Sequence, residues 1–258
     1  METVKSRDAT IIAFDQLGEG TPLILVAGAS CDRAVDASLA QALGEHFTVL
    51  NYDRRGRGDS TDTLPYAVER EIEDLDVLLA AAGGSATVVG LSSGAALAAL
   101  AAASGLPIGH LVMWEPPFGL DADGPRQAKE YADQLNAYLA EGRRGEALAH
   151  FMRRVGLPEE TITGIRQSPY WSVGEGLAPT LAYDAAVLDD GTIPTERYAS
   201  IRVPTLVLVG GASPQWMREA AEAAAAAIPG GRCGVLEGQD HNVAGEVLAP
   251  AVREFVAD

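Results

Sequence analysis

The residues Gly90-Leu91-Ser92-Ser93-Gly94 join a short apolar run, Ala86-Thr87-Val88-Val89, to an alanine-rich segment that begins Gly94-Ala95-Ala96-Leu97. The first reads as a buried strand and the second as a helix. The pattern G-x-S-x-G therefore falls on a strand–turn–helix junction, the context in which it carries information. So sharp a turn needs neighbours without bulk, which Gly90 and Gly94 supply. It lifts the Ser92 hydroxyl above the sheet edge, beside the free N–H groups of a helix N-terminus. A serine hydroxyl alone is a weak nucleophile, so the junction predicts chemistry only if a base and an acid accompany it.

The rest of the chain alternates in the same way. Apolar runs at residues 10–14, 22–26, 47–52, 110–114, 201–209 and 232–236 read as strands. Residues 35–43 and 68–82 read as helices, the latter with Ile72, Leu75, Leu78 and Leu79 near a 3.6 period. Residues 221–227 form a helical, packing segment, and residues 243–256 a final helix. Such alternation predicts an α/β fold: a mostly parallel sheet, flanked by helices on both faces. The strands at 10–14 and 22–26 are joined only by the Gly18-Glu19-Gly20 turn, too short for a crossover, so an antiparallel arrangement is expected there. Between Phe118 and Arg202 no strand is evident, while residues 125–141, 145–154, 159–167 and 177–188 suggest helices. The expected division is a core of residues 1–117 and 200–258 with a helical cap, 118–199, inserted between two strands.

Composition narrows the possible partners. The 258 residues carry 36 acidic and 19 basic side chains, a net charge of −17 that disfavours nucleic acids and acidic membranes. The N-terminal residues are polar, without the apolar core of a signal peptide, and no apolar stretch is long enough to span a bilayer. Two cysteines, Cys31 and Cys233, do not make a disulfide framework. The expected location is the cytoplasm. The oligomeric state stays open between monomer and homodimer.

In an open parallel sheet, ligands sit beyond the carboxyl ends of the strands. After residues 22–26 comes Ala27-Gly28-Ala29-Ser30-Cys31, a loop slim enough for backbone N–H groups to approach a ligand oxygen. With the N–H of Ser93, either Gly28 or Ala29 would complete an oxyanion hole. After residues 47–52 comes Asp53-Arg54-Arg55-Gly56-Arg57-Gly58-Asp59-Ser60, read as a structural loop whose charges pair with one another. Of the four histidines, His46 and His110 lie at the opposite sheet edge and His150 inside a cap helix. Only His241, on the loop after residues 232–236, is placed to take the serine proton.

The acid expected after the penultimate strand is missing. The loop Gly210-Gly211-Ala212-Ser213-Pro214-Gln215-Trp216 has no carboxylate, and Ser213 stands at its place. Glu115, at the end of the preceding strand and followed by Pro116-Pro117, is the favoured orienter of His241. The competing reading pairs Glu115 with an arginine of residues 53–57. Asp32 is a weaker reserve, and Asp240 is too near His241 in the chain.

Together these segments resemble the α/β-hydrolase superfamily over nearly the whole length, on Val26-Ala27-Gly28-Ala29, the loop at 53–60, Gly90–Gly94, residues 204–210 and Gly238-Gln239-Asp240-His241. The family's usual His-Gly is Ala27-Gly28 here, and its usual acid is Ser213. An acid one strand earlier occurs in one branch of haloalkane dehalogenases and in zearalenone lactonases. Dehalogenases and epoxide hydrolases use an aspartate nucleophile, so Ser92 makes the layout similar to the lactonase type. The resemblance implies an esterase or lactonase with Ser92, His241 and Glu115 as its triad, working on a small-molecule ester or lactone without metal or organic cofactor. Trp171, Tyr170, Met152 and Phe118 are candidate substrate contacts, which implies a largely apolar substrate. The alternatives are a non-hydrolytic enzyme of the same fold (lyase, cyclase or cofactor-free oxygenase) and a catalytically inactive binding protein.

Overall fold

The computed structural model describes residues 1–258. In chain order the first half contains β1 (Glu2–Lys5), β2 (Ile11–Leu17), β3 (Thr21–Val26), α1 (Ala37–Gly44), β4 (Phe47–Tyr52), α2 (Val68–Ala81), β5 (Ala86–Leu91), α3 (Ser93–Ala103) and β6 (Ile108–Trp114). Six helices follow without a strand: α4 (Gly124–Ala140), α5 (Arg144–Arg154), α6 (Glu159–Arg166), α7 (Tyr170–Leu177), α8 (Leu181–Leu188) and α9 (Thr195–Tyr198). The chain then returns through β7 (Thr205–Gly210), α10 (Gln215–Ala226), β8 (Arg232–Leu236) and α11 (Gly245–Ala257).

The eight strands form one sheet in the order β1-β2-β4-β3-β5-β6-β7-β8. Strands β3 to β8 run parallel, while β1 and β2 are antiparallel additions at one edge. The expected opposition of the first two apolar runs holds in direction but not in adjacency: β4 lies between β2 and β3 and pairs with both. The Gly18–Gly20 turn must therefore pass over the start of β4. A Cβ on Gly18 would lie 2.7 Å from Gly44 Cα, and one on Gly20 2.6 Å from the His46 carbonyl oxygen, so only glycine leaves room.

Alternate residues of each central strand feed opposite faces, as the two-residue repeat of a strand requires. Ile24, Val26, Val88, Leu111 and Val207 pack with α2, α3 and α10, whereas Leu23, Leu25, Val89, Val112 and Leu208 pack with α1 and α11. Helix α3 is buried nearly all round. Its alanines let it fit between the sheet, α2 and α8 where larger side chains would not.

Local chemistry explains where sequence pattern and structure part. Strand β7 starts at Thr205 rather than residue 201, because Pro204 has no N–H to pair and offers only its carbonyl, which accepts from the Leu111 N–H at 2.9 Å. Strand β1 is polar and mostly exposed, so apolar patterning does not reveal it. Helices α7 and α9 are too short for a clear period. Within the helical stretch, Leu135, Ala147, Leu148, Ala178 and Leu181 make a small separate core, while Phe118, Val187 and Tyr198 join the main one.

The β5–α3 turn is crowded. A Cβ on Gly90 would sit 2.6 Å from Ala95 Cα and 2.7 Å from its nitrogen, and one on Gly94 2.6 Å from the Ala27 carbonyl oxygen. Gly90→Ala is expected to lower stability by about 1–3 kcal/mol, as overpacked positions do. Gly124→Ala, whose added methyl meets nothing within 4 Å, should change it by less than about 0.5 kcal/mol. Urea denaturation of the two variants checks both values.

Candidate active site

Three strand ends converge on the indole and backbone of Trp114. Ser92, at the tip of the β5–α3 turn, adopts φ 53° and ψ −121°, a left-handed conformation that is costly for a residue with a side chain. Its N–H donates to the Trp114 carbonyl at 2.8 Å. The Trp114 Nε1–H in turn donates to the His241 carbonyl at 3.0 Å, which fixes the loop after β8. Glu115 follows directly, also at positive φ (44°), with its N–H donating to the Leu208 carbonyl at 2.9 Å. Apolar patterning alone does not mark Trp114 for this role; the available signal is its position at a strand end beside Glu115.

The Glu115 carboxylate is buried and fully used. Oε2 lies 2.7 Å from His241 Nδ1. Oε1 accepts the Ser213 hydroxyl at 2.5 Å and the Gly210 N–H at 2.8 Å. Ser213 thus supports the carboxylate at the place where an acid was expected. Burial by itself would raise the Glu115 pKa; the hydrogen bonds from His241, Ser213 and Gly210 outweigh it and hold the carboxyl below its ordinary range. No arginine of residues 53–57 touches it. Asp240 instead accepts the Asn242 N–H, and Asp32 accepts the N–H groups of Ala34 and Val35, so both serve local turns. The His241 side chain is 43% exposed, which leaves its ring open toward solvent.

The loop after β3 lies against the serine. A Cβ on Gly28 would be 3.2 Å from the Ser92 Cβ, a tight contact that would press on the serine turn. The N–H groups of Gly28 and Ala29 donate to no acceptor within the chain. Ser93 is the first residue of α3, where a helix has no internal acceptor for an N–H. Its hydroxyl donates to Asp184 Oδ1 of α8 at 2.8 Å.

The arginine-rich loop is structural, but its pairings differ from those expected. Arg54, Arg55 and Arg57 are buried and reach outside the loop. Arg54 pairs with Glu71 and Asp184, both at 2.7 Å, Arg55 with Asp74 at 2.8 Å and Asp8 at 2.9 Å, and Arg57 with Asp184 at 2.8 Å. Asp53 binds Arg33 instead. Glu71 and Asp74 stand three residues apart on the inner side of α2, a placement that only packing aligns with the loop.

The expected substrate contacts divide. Trp171 and Met152 are half-buried against the small core of the helical stretch, and Ala29 packs on that same core. The Arg166 guanidinium sits 5.0 Å over the Trp171 ring. Tyr170 turns the other way and is 79% exposed, because its neighbour on α7 takes the inward face. Phe118 is corrected to a core residue: it is 2% exposed and meets Tyr198 edge-on at 6.0 Å, so it offers no surface to a ligand at Ser92. Both cysteines are free thiols. No group of three or more His, Cys, Asp or Glu side chains converges as a metal site, and no helix is long and apolar enough to cross a membrane.

Comparison with known proteins agrees with this architecture. Residues 23–253 match the model of the alpha/beta hydrolase family, and the chain belongs to that family. An alpha/beta hydrolase from Sphaerobacter thermophilus is 53% identical, with a TM-score of 0.91, 98% of this chain and 99% of that one being covered. The enol-lactonase from Burkholderia xenovorans shares the fold at 22% identity and a TM-score of 0.73, with full coverage of both chains. A thermophilic esterase from Thermogutta terrifontis does so at 24% identity and a TM-score of 0.72, covering 100% of this chain and 98% of that one.

The depressed Glu115 pKa predicts a pH signature. A carboxyl lowered by folding contributes stability that is fully present above its ordinary value of 4.5 and is lost as pH falls through the folded value. The stability advantage of the wild type over Glu115→Gln should therefore shrink as pH falls below 4.5, as measured by urea titrations across pH. Ser213→Ala, which strips a hydrogen bond from a buried carboxylate, should cost about 1.5–3 kcal/mol at neutral pH.

Proposed function

We propose that the protein is a serine hydrolase that cleaves a carboxylic ester or lactone of a largely apolar small molecule through an acyl-enzyme. The observation that carries this reading is the 2.7 Å contact between Glu115 Oε2 and His241 Nδ1, made by a carboxylate whose other oxygen is already saturated. Such a carboxylate holds one tautomer of the ring, with the proton on Nδ1 and the lone pair on Nε2 free to accept. His241 then takes the Ser92 proton as the hydroxyl oxygen attacks the substrate carbonyl. The imidazolium is stabilised by the Glu115 charge, and the N–H groups of Ser93 and Ala29 receive the oxyanion. The same histidine returns the proton to the leaving alcohol, and a water activated by it releases the acid product. In a lactone the alcohol and the acid are two ends of one molecule, and the sequence of proton transfers is unchanged.

The apolar side of the substrate is inferred from the helical stretch, taken here as a cap. Trp171, Met152, Phe151 and Tyr131 pack on the small core that also meets Ala29. The esterase and enol-lactonase among the structural neighbours carry out chemistry of this class on the same fold.

A panel of p-nitrophenyl esters and aliphatic lactones tests the reading together with a serine-directed phosphonate. The phosphonate should add once per chain, at Ser92. Ser92→Ala should lower kcat by about 10⁵–10⁶-fold and Glu115→Gln by about 10³–10⁴-fold, each with the fold retained. Full activity in Glu115→Gln, or labelling at another residue, would sink the assignment.

A further inference from the structure

Asp184 belongs to α8, within the helical stretch and distant in sequence from every proposed catalytic residue, yet its carboxylate grips both walls of the proposed oxyanion hole. Its Oδ1 accepts the Ser93 hydroxyl at 2.8 Å. Both its oxygens accept from Arg57 Nη2, at 2.9 and 2.8 Å, and Oδ1 also accepts Arg54 Nη1 at 2.7 Å. Arg57, so held, turns its other nitrogen to the loop after β3: Nη1 donates to the Gly28 carbonyl at 2.6 Å and to the Cys31 carbonyl at 3.0 Å.

The Gly28 carbonyl is the informative contact, because it shares a peptide unit with the Ala29 N–H. A peptide bond is planar and trans, so its C=O and N–H point in opposite directions. With the carbonyl drawn to Arg57, the Ala29 N–H faces away from the guanidinium. It has no acceptor in the chain, and the Gly28 backbone to which it is joined is packed against Ser92. The Arg57 pull therefore fixes the direction of the Ala29 N–H, while the Gly28 N–H belongs to the preceding peptide, whose Ala27 carbonyl meets Arg54 Nη1 at 3.3 Å.

We infer that Asp184 and Arg57 are positioning residues for the proposed reaction: the helical stretch, through one buried carboxylate, sets the direction of the Ala29 N–H and seats Ser93 opposite it. Neither side chain touches the substrate. The effect belongs to the transition state, since a donor aimed at the oxyanion gains strength only as the carbonyl oxygen becomes charged. This inference rests on the serine-hydrolase reading.

The test compares hydrolysis of p-nitrophenyl acetate with that of its thiono analogue, in which sulfur replaces the carbonyl oxygen and accepts hydrogen bonds poorly. The leaving group is the same, so the ester-to-thionoester ratio of kcat reports the oxyanion donors and not the fold. Asp184→Asn should lower kcat for the oxygen ester at least tenfold, with KM changed less than threefold, and lower the ratio about tenfold. Phosphonate labelling of Ser92 should still reach one per chain. Arg57→Lys keeps the charge opposite Asp184, but its ammonium cannot reproduce the guanidinium fork. It should lower the ratio as well, and it serves as the reading if Asp184→Asn melts below the assay temperature. A purely structural role predicts equal losses on both substrates and an unchanged ratio, which overturns the inference, as does a wild-type ratio near one. Absence of Ser92-dependent ester hydrolysis in the wild type is a different failure, that of the underlying reading.

Discussion

Asp184 keeps its charge where only 5% of its side chain meets solvent, and the arrangement around it decides how the helical stretch sits on the sheet. Burial of a lone carboxylate is costly, and here burial by itself would raise its pKa. Arg57 and Arg54, with the Ser93 hydroxyl, outweigh that and keep it ionised. Arg54 in turn holds Glu71 of α2, and Tyr66, bonded to Glu71, stacks on Tyr183 of α8 at 3.8 Å. Elements from four parts of the chain thus meet in one charge-balanced cluster. Replacing such a cluster with apolar residues could be neutral, but removing one partner leaves uncompensated charge and typically costs about 3–5 kcal/mol. The cluster is better understood as a device of registry: α8 has one place to sit, directly over the β3 and β5 loops.

A second buried carboxylate organises the other side of the serine. Glu115 extends from the end of β6, and the loop after β7 presents it with a hydroxyl and an N–H from Ser213 and Gly210. The position that would carry an acid in the family's usual layout has become a donor to an acid one strand away. The two arrangements bring a carboxylate oxygen to the same histidine nitrogen by different routes, because adjacent parallel strands end side by side. The positive φ at both Ser92 and Glu115 is consistent with this division of labour: each side chain is turned out of its strand by backbone strain that the surrounding hydrogen bonds sustain.

Much of this was legible without coordinates, for reasons that are local. The β5–α3 junction announces itself through Gly90, Ser92 and Gly94 because the steric demands of a tight turn are met by adjacent residues. His241 was legible by elimination, since its three competitors stand at the wrong end of a strand or inside a helix. Glu115 was legible because a missing acid in one loop directs attention to the next. The arginine loop was only half legible. Its structural character followed from its composition, but the partners at Asp8, Glu71, Asp74 and Asp184 did not. Phe118 was misplaced because an aromatic near a site can face the core, the ligand or solvent, and a periodicity of a few residues does not distinguish them.

The sequence by itself determined the alternating α/β architecture, the place of the serine turn and the strand ends that carry Glu115 and His241. These depend on hydrophobic period, glycine placement and chain order, all read within a dozen residues. The tertiary structure alone decided that β4 lies between β2 and β3, that Trp114 links the serine turn to the histidine loop, and that Asp184 reaches the loop after β3 through Arg57. Those contacts join residues up to 127 positions apart. Hydrogen bonds and buried ion pairs act over a few ångströms, so their partners are defined only when the fold has brought them together.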